Sequence, residues 1–204
     1  MLREFLVWLQ TELGKGSGEL AQSWSEALLG SLNFWGLLEG THLLALMLFA
    51  GTIFVVDLRL LGVTFRKTPV SVISNRVLPL TVFGLLLVVI TGVSLFYAKP
   101  LFYYHNIWFR VKLIFIALAI INIMIFHLRV QRNQAAWDLA ERPPFAARAS
   151  AAISIVAWIA VIATGRFIAY DWFECGKPLS GFMNAAQSCA ASEKGAVTAP
   201  EPPK

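Results

Sequence analysis

The chain is expected to be an all-α membrane protein: a four-helix transmembrane bundle with an N-terminal amphipathic interfacial helix and both termini on the periplasmic side. Three observations predict this. Of 204 residues, 57% are hydrophobic and 14% are charged, against about 45–50% and about 25% in an ordinary soluble domain. Mean hydropathy is +0.66, so the apolar surplus exceeds what one core can bury and must face lipid. That surplus is gathered into four runs, each close to the roughly 20 residues a helix needs to cross a bilayer. Runs so long and unbroken exclude the alternating pattern of an outer-membrane barrel.

The N-terminal element comes first. Leu2, Phe5, Leu6, Leu9 and Leu13 recur at helical spacing, which predicts an amphipathic helix over residues 1–13 lying along the outer membrane surface. Its apolar stretch, Phe5 to Leu9, is too short for a signal-peptide core and no small-residue cleavage site follows. Gly14-Lys15-Gly16-Ser17-Gly18 breaks the helix. A second helical stretch begins near Glu19, contains Trp24 and feeds the first span.

The spans are placed at Trp35 to Val56, interrupted by Glu39 and His42; at Val77 to Ala98, uncharged throughout; at Trp108 to His127, with Arg110 and Lys112 in its first turns; and at Ala149 to Tyr170, with Arg166 near its end. The chain thus divides into residues 1–33 on the periplasmic surface, a transmembrane domain over 34–172, and a polar tail over 173–204. From about Ser188 the Ala, Ser, Pro and Glu content predicts disorder. Cys175 and Cys189, the only cysteines, fall in this tail. An exported compartment permits a bridge between them, the alternative being two free thiols.

Orientation follows from the cations. The first connection holds Arg59, Arg66, Lys67 and Arg76 and the third holds Arg129, Arg132, Arg142 and Arg148, whereas the second holds only Lys99. Lys and Arg in short loops mark the cytoplasmic side, which puts both basic loops inside and both termini outside, in a bacterial inner membrane. The formal charge of +5 is therefore a topological signal, not a nucleic-acid footprint.

Ionisable groups within a span cost about 2.5–3.5 kcal/mol at the helix centre, so each needs a reason. With Trp35, Trp108 and Trp172 as interface markers and a rise of about 1.5 Å per residue, His42 sits roughly 10 Å inward, Lys112 roughly 6 Å and Arg166 roughly 9 Å. Glu39 lies one turn from His42 on the same face. An inward imidazole beside two cations suits haem b, with His42 on the iron and Arg166 and Lys112 at the propionates. It also suits another anionic or quinone-like head group. The structural alternative has Lys112 and Arg166 reaching to the interface, Glu39 pairing with Arg166, and His42 bonding a neighbouring helix. His105 is the candidate second ligand if the Lys99 to Asn106 segment folds inward, and His127 is expected at the cytoplasmic interface. The three histidines lack zinc spacing, and no nucleophile, phosphate loop or nucleic-acid patch is evident.

Asp57 and Arg59, with Arg76 nearby, are expected to form an interfacial charge pair. Gly51, Gly84, Gly92, Ala157 and Gly165 are expected to let helices approach closely, and Asn122 to bond across helices. A small transporter is a weaker reading, since no span is broken by Pro and the halves show no inverted repeat.

The run from Glu39-Gly40-Thr41-His42 through Asp57-Leu58-Arg59-Leu60-Leu61-Gly62, then Thr91-Gly92, then Gly165-Arg166-Phe167-Ile168-Ala169-Tyr170, resembles an uncharacterised family of bacterial four-span inner-membrane proteins over about residues 35 to 172. More distantly, the layout is similar to the copper-resistance D-type membrane domains and the four-span haem-binding protoporphyrinogen oxidases, which implies that His42 is an axial haem ligand. The expected function is a b-type haem-binding or redox-associated membrane subunit. The alternative is a non-catalytic accessory subunit that binds another membrane protein or a second copy of itself.

Overall fold

The structure, a computed structural model, describes residues 2–16, 22–170 and 181. The tail cysteines Cys175 and Cys189 lie outside the described residues, as does the interface marker Trp172. Among the described residues every regular element is helical: α1 (Leu2–Thr11), α2 (Trp24–Gly30), α3 (Leu32–Leu60), α4 (Val70–Ala98), α5 (Pro100–His105), α6 (Ile107–Ile125) and α7 (Phe145–Ile168). A π-turn over Phe126–Val130 and a 3-10 segment over Gln131–Ala136 continue α6. Four helices are long and apolar enough to cross a membrane, α3, α4, α6 with its extension, and α7. The chain is a multi-pass membrane protein.

These helices outrun the spans expected from hydropathy. The extra turns are polar: α4 starts at Val70 and includes Ser71, Ser74, Asn75 and Arg76 before its apolar part. Pro79 sits inside α4 without ending it. Its missing N–H removes one hydrogen bond of the ladder, and the helix runs on through it.

Packing order explains the shape. Helix α4 packs on α3, α3 on α7, and α7 on α6, while α4 and α6 do not pack along each other. Apart from the Phe96–Phe109 stack at their terminal ends, α4 and α6 barely meet, so the four spans form an arc whose open side lies between α4 and α6 below that stack. Helix α7 carries the inner stripe, with Ala151, Ser154, Ala157, Trp158, Val161 and Thr164 all buried. Small residues at these positions bring backbones close, the main source of attraction between helices in lipid. Gly84 does the same on α4, where an added Cβ would stand 3.0 Å from the Phe49 amide nitrogen. Phe49 in turn meets Trp158 edge to face at 4.8 Å. Gly51, expected to be a packing residue, has nothing within 4 Å of its Cβ direction; it faces outward because the packed positions of α3 are Phe49, Ala50 and Thr52.

The two ends of the bundle are built differently. At the terminal end, α1 and α2 pack together and reach α4 and α5. Ser23 caps α2 in a reciprocal pair with Glu26, and its hydroxyl donates to the Gln10 carbonyl at 2.6 Å. The buried Ser25 hydroxyl donates 2.8 Å to the Ala98 carbonyl, satisfying an orphan acceptor at the end of α4. Asn106 caps α6 by accepting from the Phe109 amide at 3.2 Å.

At the opposite, basic end, the Leu60-Leu61-Gly62 sequence stops α3. Gly62 has φ of +74°, its amide donates to the Arg59 carbonyl and the Val63 amide to the Leu58 carbonyl, which is the hydrogen-bond pattern of a glycine-terminated helix. Arg59 is wholly buried and donates from Nε to the Thr68 carbonyl at 2.8 Å and from Nη2 to the Ala140 carbonyl at 3.1 Å. It ties the first connection to the third. The expected Asp57–Arg59 pair is not formed: residues two apart point to different sides of a helix, and Asp57 Oδ2 and Arg59 Nη1 are both left without a hydrogen-bond partner among the described residues. Asp138, from the third connection, caps α4: the Ser71 amide donates to its Oδ1 at 2.8 Å and the Ser71 hydroxyl to its Oδ2. Desolvation works to raise the Asp138 pKa, but the hydrogen bonds from Ser71, Gln134 and Val70 outweigh it and hold the carboxyl below the ordinary value of 3.8.

Candidate functional site

A cavity of about 780 Å³ runs along the inside of the arc, bounded by all four spans. That volume falls in the range of about 300–1,000 Å³ typical of small-molecule sites. Its walls are mostly apolar, with Leu46, Phe49, Val88 and Ile116 among them. His42 and Lys112 line the half nearer the termini, and Asp57 and Asn122 the basic half. His42 and Asp57 are separated by about 22 Å along α3 at 1.5 Å per residue.

His42 is half-buried, and its Nδ1 lies 2.8 Å from the Thr91 hydroxyl on α4. Thr91 is buried, and its hydroxyl donates to the Leu87 carbonyl at 2.6 Å. A hydroxyl has one proton to give. While that proton stays on Leu87, Thr91 accepts from His42, which is the arrangement in which the neutral ring carries its proton on Nδ1 and a lone pair on Nε2. Gly92 leaves room for the ring: a Cβ there would stand 3.2 Å from His42 Cε1. Thr91 and Gly92, adjacent on α4, thus orient and accommodate one imidazole.

Lys112 lines the same half of the cavity. Its Nζ comes to 3.4 Å from where a Cβ on Gly165 would be, so the lysine folds across α7 at its only glycine. Among the described residues no carboxylate pairs with it. Of the three groups that depth alone places in one layer, His42, Lys112 and Arg166, the first two line this cavity.

The other expected site residues lie elsewhere. Arg166 is exposed, with its guanidinium 5.5 Å from the centre of the Tyr170 ring. Consecutive helical residues are about 100° apart, so with Gly165 turned to Lys112, Arg166 is carried off the inner face. Glu39 is exposed and acts on α5, where burial, reinforced by the Glu39 charge, pushes the Tyr103 phenol up to about 12. His105 sits on α5 with its ring 5.0 Å from that of Tyr104. The Lys99 to Asn106 segment does not fold inward: α5 packs on α1, and Phe96, Tyr103 and Phe109 stack around it, with Phe96 and Phe109 centroids 5.6 Å apart. His105 is not among the cavity-lining residues, whereas His127 stands at the basic mouth, exposed, with Nδ1 2.9 Å from the Ile123 carbonyl. Asn122 bonds across helices as expected, donating to the Ser150 carbonyl at 3.0 Å and accepting from the Ser150 hydroxyl at 3.1 Å.

Two groups escaped the sequence reading. Thr91 was noted within a motif but not as a partner of His42, and Trp158 carried no mark distinguishing it from a core aromatic.

Comparison with the curated proteins and with the solved structures returns no match. Residues 31–171, which hold all four spans and the whole cavity wall, match a family of unknown function, DUF6644. The chain belongs to that family.

Proposed function

We propose that the chain is a membrane-embedded binding protein of the redox class whose ligand is haem b, held in the terminal half of the cavity with His42 as axial ligand. The observation that carries this reading is the His42–Thr91 hydrogen bond, which orders the ring and reserves Nε2 for a metal, as the outer-shell partners of ligating histidines do. Lys112, half-buried and with no carboxylate partner among the described residues, supplies a cation for a propionate. The apolar walls suit a porphyrin face, and the gap between α4 and α6 admits a lipid-soluble group sideways. Bound haem supplies one-electron chemistry; the residues orient it and exclude water. Arg166 and Glu39 belong at the rim of this site, at the terminal surface, and His105 beside them rather than at the iron.

In this reading the Lys and Arg bias of the short connections sets the basic end in the cytoplasm and both termini in the periplasm of a bacterial inner membrane, with α1 along the outer surface through the exposed Leu2, Phe5 and Trp8. A cysteine introduced at Lys67 in a cysteine-free chain then reacts with an impermeant thiol reagent only when the cytoplasmic face is opened; labelling from outside reverses the topology.

Titration of haem into the detergent-purified protein tests the binding. A Soret shift saturating at one haem per chain supports it, and a featureless titration overturns it.

A second reading is an accessory subunit. Gly36, Gly40 and Gly51 share a face of α3 with open space before them, beside exposed Leu44 and Met47, and a glycine-lined face is a packing surface for another helix. Gly40→Leu releases a partner or second copy held there and leaves the haem titration unchanged.

A further inference from the structure

The basic half of the cavity makes a different set of demands. Asp57 is 6% exposed and lines the cavity. Its carboxyl faces Ser154 on α7, and Oδ2 has no hydrogen-bond partner among the described residues. Trp158, also 6% exposed, lines the same cavity one turn from Ser154 on α7. Its indole Nε1 likewise has no partner. The Trp158 ring meets Phe49 edge to face at 4.8 Å, and Phe49 lies about 12 Å from Asp57 along α3. One buried acceptor and one buried donor are thus unsatisfied on residues that line the same cavity, where each costs about 1–3 kcal/mol and the bilayer offers no water to relieve it.

The neighbouring polar groups are already committed. Asn122 and Ser150 satisfy each other, and the Thr52 hydroxyl donates to the Phe49 carbonyl at 2.9 Å. Around the two orphaned atoms the wall is aromatic and aliphatic, with Phe49, Phe126, Ile53 and Val56. A ligand that meets these demands presents one hydrogen-bond donor and one acceptor on a flat apolar frame, and it reaches the site from lipid through the open side between α4 and α6. A phosphate head group fails on both counts, since it would face the Asp57 carboxyl and bring charge into an apolar wall.

We propose that the basic half of the cavity binds the head of a membrane-soluble hydroquinone, one ring hydroxyl donating to Asp57 Oδ2 and a ring oxygen accepting from Trp158 Nε1. This site is separate from His42 and does not rest on haem binding there. The oxidised quinone offers acceptors only, so it can satisfy Trp158 but not the Asp57 carboxylate in its ionised form, for which the reduced ring is the preferred ligand.

The test is calorimetric titration of the haem-free full chain in detergent with tetramethylhydroquinone and, separately, tetramethylbenzoquinone. The reduced ring is expected to bind at least about tenfold more tightly, the size of effect that one hydrogen bond to a buried carboxyl confers. Asp57→Asn, which can donate as well as accept, collapses the preference to below about threefold, while Trp158→Phe weakens both forms and keeps it. Equal binding of the two forms by the unaltered chain, or binding of neither, overturns the proposal without reference to any variant's folding. His42→Ala retains the preference. Its loss together with the haem signal would mean a single site and overturn the separate one, whereas a failed haem titration beside an intact preference overturns only the haem reading.

Discussion

The Nδ1 of His42 on α3 lies 2.8 Å from the hydroxyl of Thr91 on α4, and that hydroxyl has already given its proton to the Leu87 carbonyl. That arrangement favours Thr91 as acceptor from the ring, with the lone pair of the neutral imidazole on Nε2. Thr91→Val keeps the side chain's size and removes the acceptor. The account predicts a folded protein whose haem affinity falls about 10- to 100-fold, the usual consequence of losing an outer-shell partner, measured by haem titration. Affinity equal to that of the unaltered chain would deny Thr91 this role.

Arg59 is a structural staple. Its side chain is buried and joins the Thr68 and Ala140 carbonyls of two different connections. Arg59→Ala is expected to destabilise the protein by about 3 kcal/mol, from two charge-assisted hydrogen bonds lost at about 1.5–3 kcal/mol each and partial recovery by water at the basic end. Arg59→Lys should recover part of the loss, since an ammonium lacks the planar fork that reaches two carbonyls at once. Thermal unfolding in detergent reads both.

Gly84 and Gly51 form a matched pair for testing close packing. A Cβ on Gly84 would meet the Phe49 backbone at 3.0 Å, and one on Gly51 would meet nothing within 4 Å. Gly84→Ala should cost about 1–3 kcal/mol by overpacking the α3–α4 seam, while Gly51→Ala should be neutral or stabilising by up to about 1 kcal/mol through helix propensity. The same unfolding assay compares them, and equal effects would place the seam elsewhere.

Asp138 makes a pH prediction outside the membrane. Its carboxyl is held below the ordinary value of 3.8 in the folded protein, so the unfolded chain takes up this proton first as pH falls. The stability it contributes is complete above about pH 4 to 5, declines below that, and is gone once the pH has passed the lowered folded value. Asp138→Asn should lower stability at neutral pH and flatten the loss of stability on acidification below about pH 4. An acid profile identical to that of the unaltered protein would remove Asp138 from the capping of α4.

Much of the architecture was legible because hydropathy is a one-dimensional property: an apolar run of bilayer length reads as a span wherever its partners lie. Helix ends were less legible, since polar turns such as Ser71 to Arg76 project beyond the apolar part and carry no hydropathy signal. The Ser23-Trp24-Ser25-Glu26 sequence has the spacing of a capping box and could have located α2. Of the site, His42 and Lys112 were found by comparing depths, a comparison blind to rotation about the helix axis. That is why Arg166 was grouped with them although it faces outward. Its orientation was available from the stripe Ala151, Ser154, Ala157, Trp158, Val161, from which Arg166 is displaced. Asp57 and Arg59 are close in sequence and so read as a pair, yet the Arg59 partners Thr68 and Ala140 lie 9 and 81 residues away. Contacts of that kind exist only after the helices are packed.

The central claim, an imidazole held on the cavity wall for a haem iron, is tested most directly by chemical rescue. Cells supplied with ample haem express the unaltered chain and His42→Gly, and absorption spectra of both proteins are recorded in detergent with and without added imidazole. The account predicts a Soret band in the unaltered protein, its loss in His42→Gly, and its return when free imidazole occupies the space vacated between Thr91 and Gly92. A colourless unaltered protein, or a Soret band that His42→Gly leaves untouched, would contradict it.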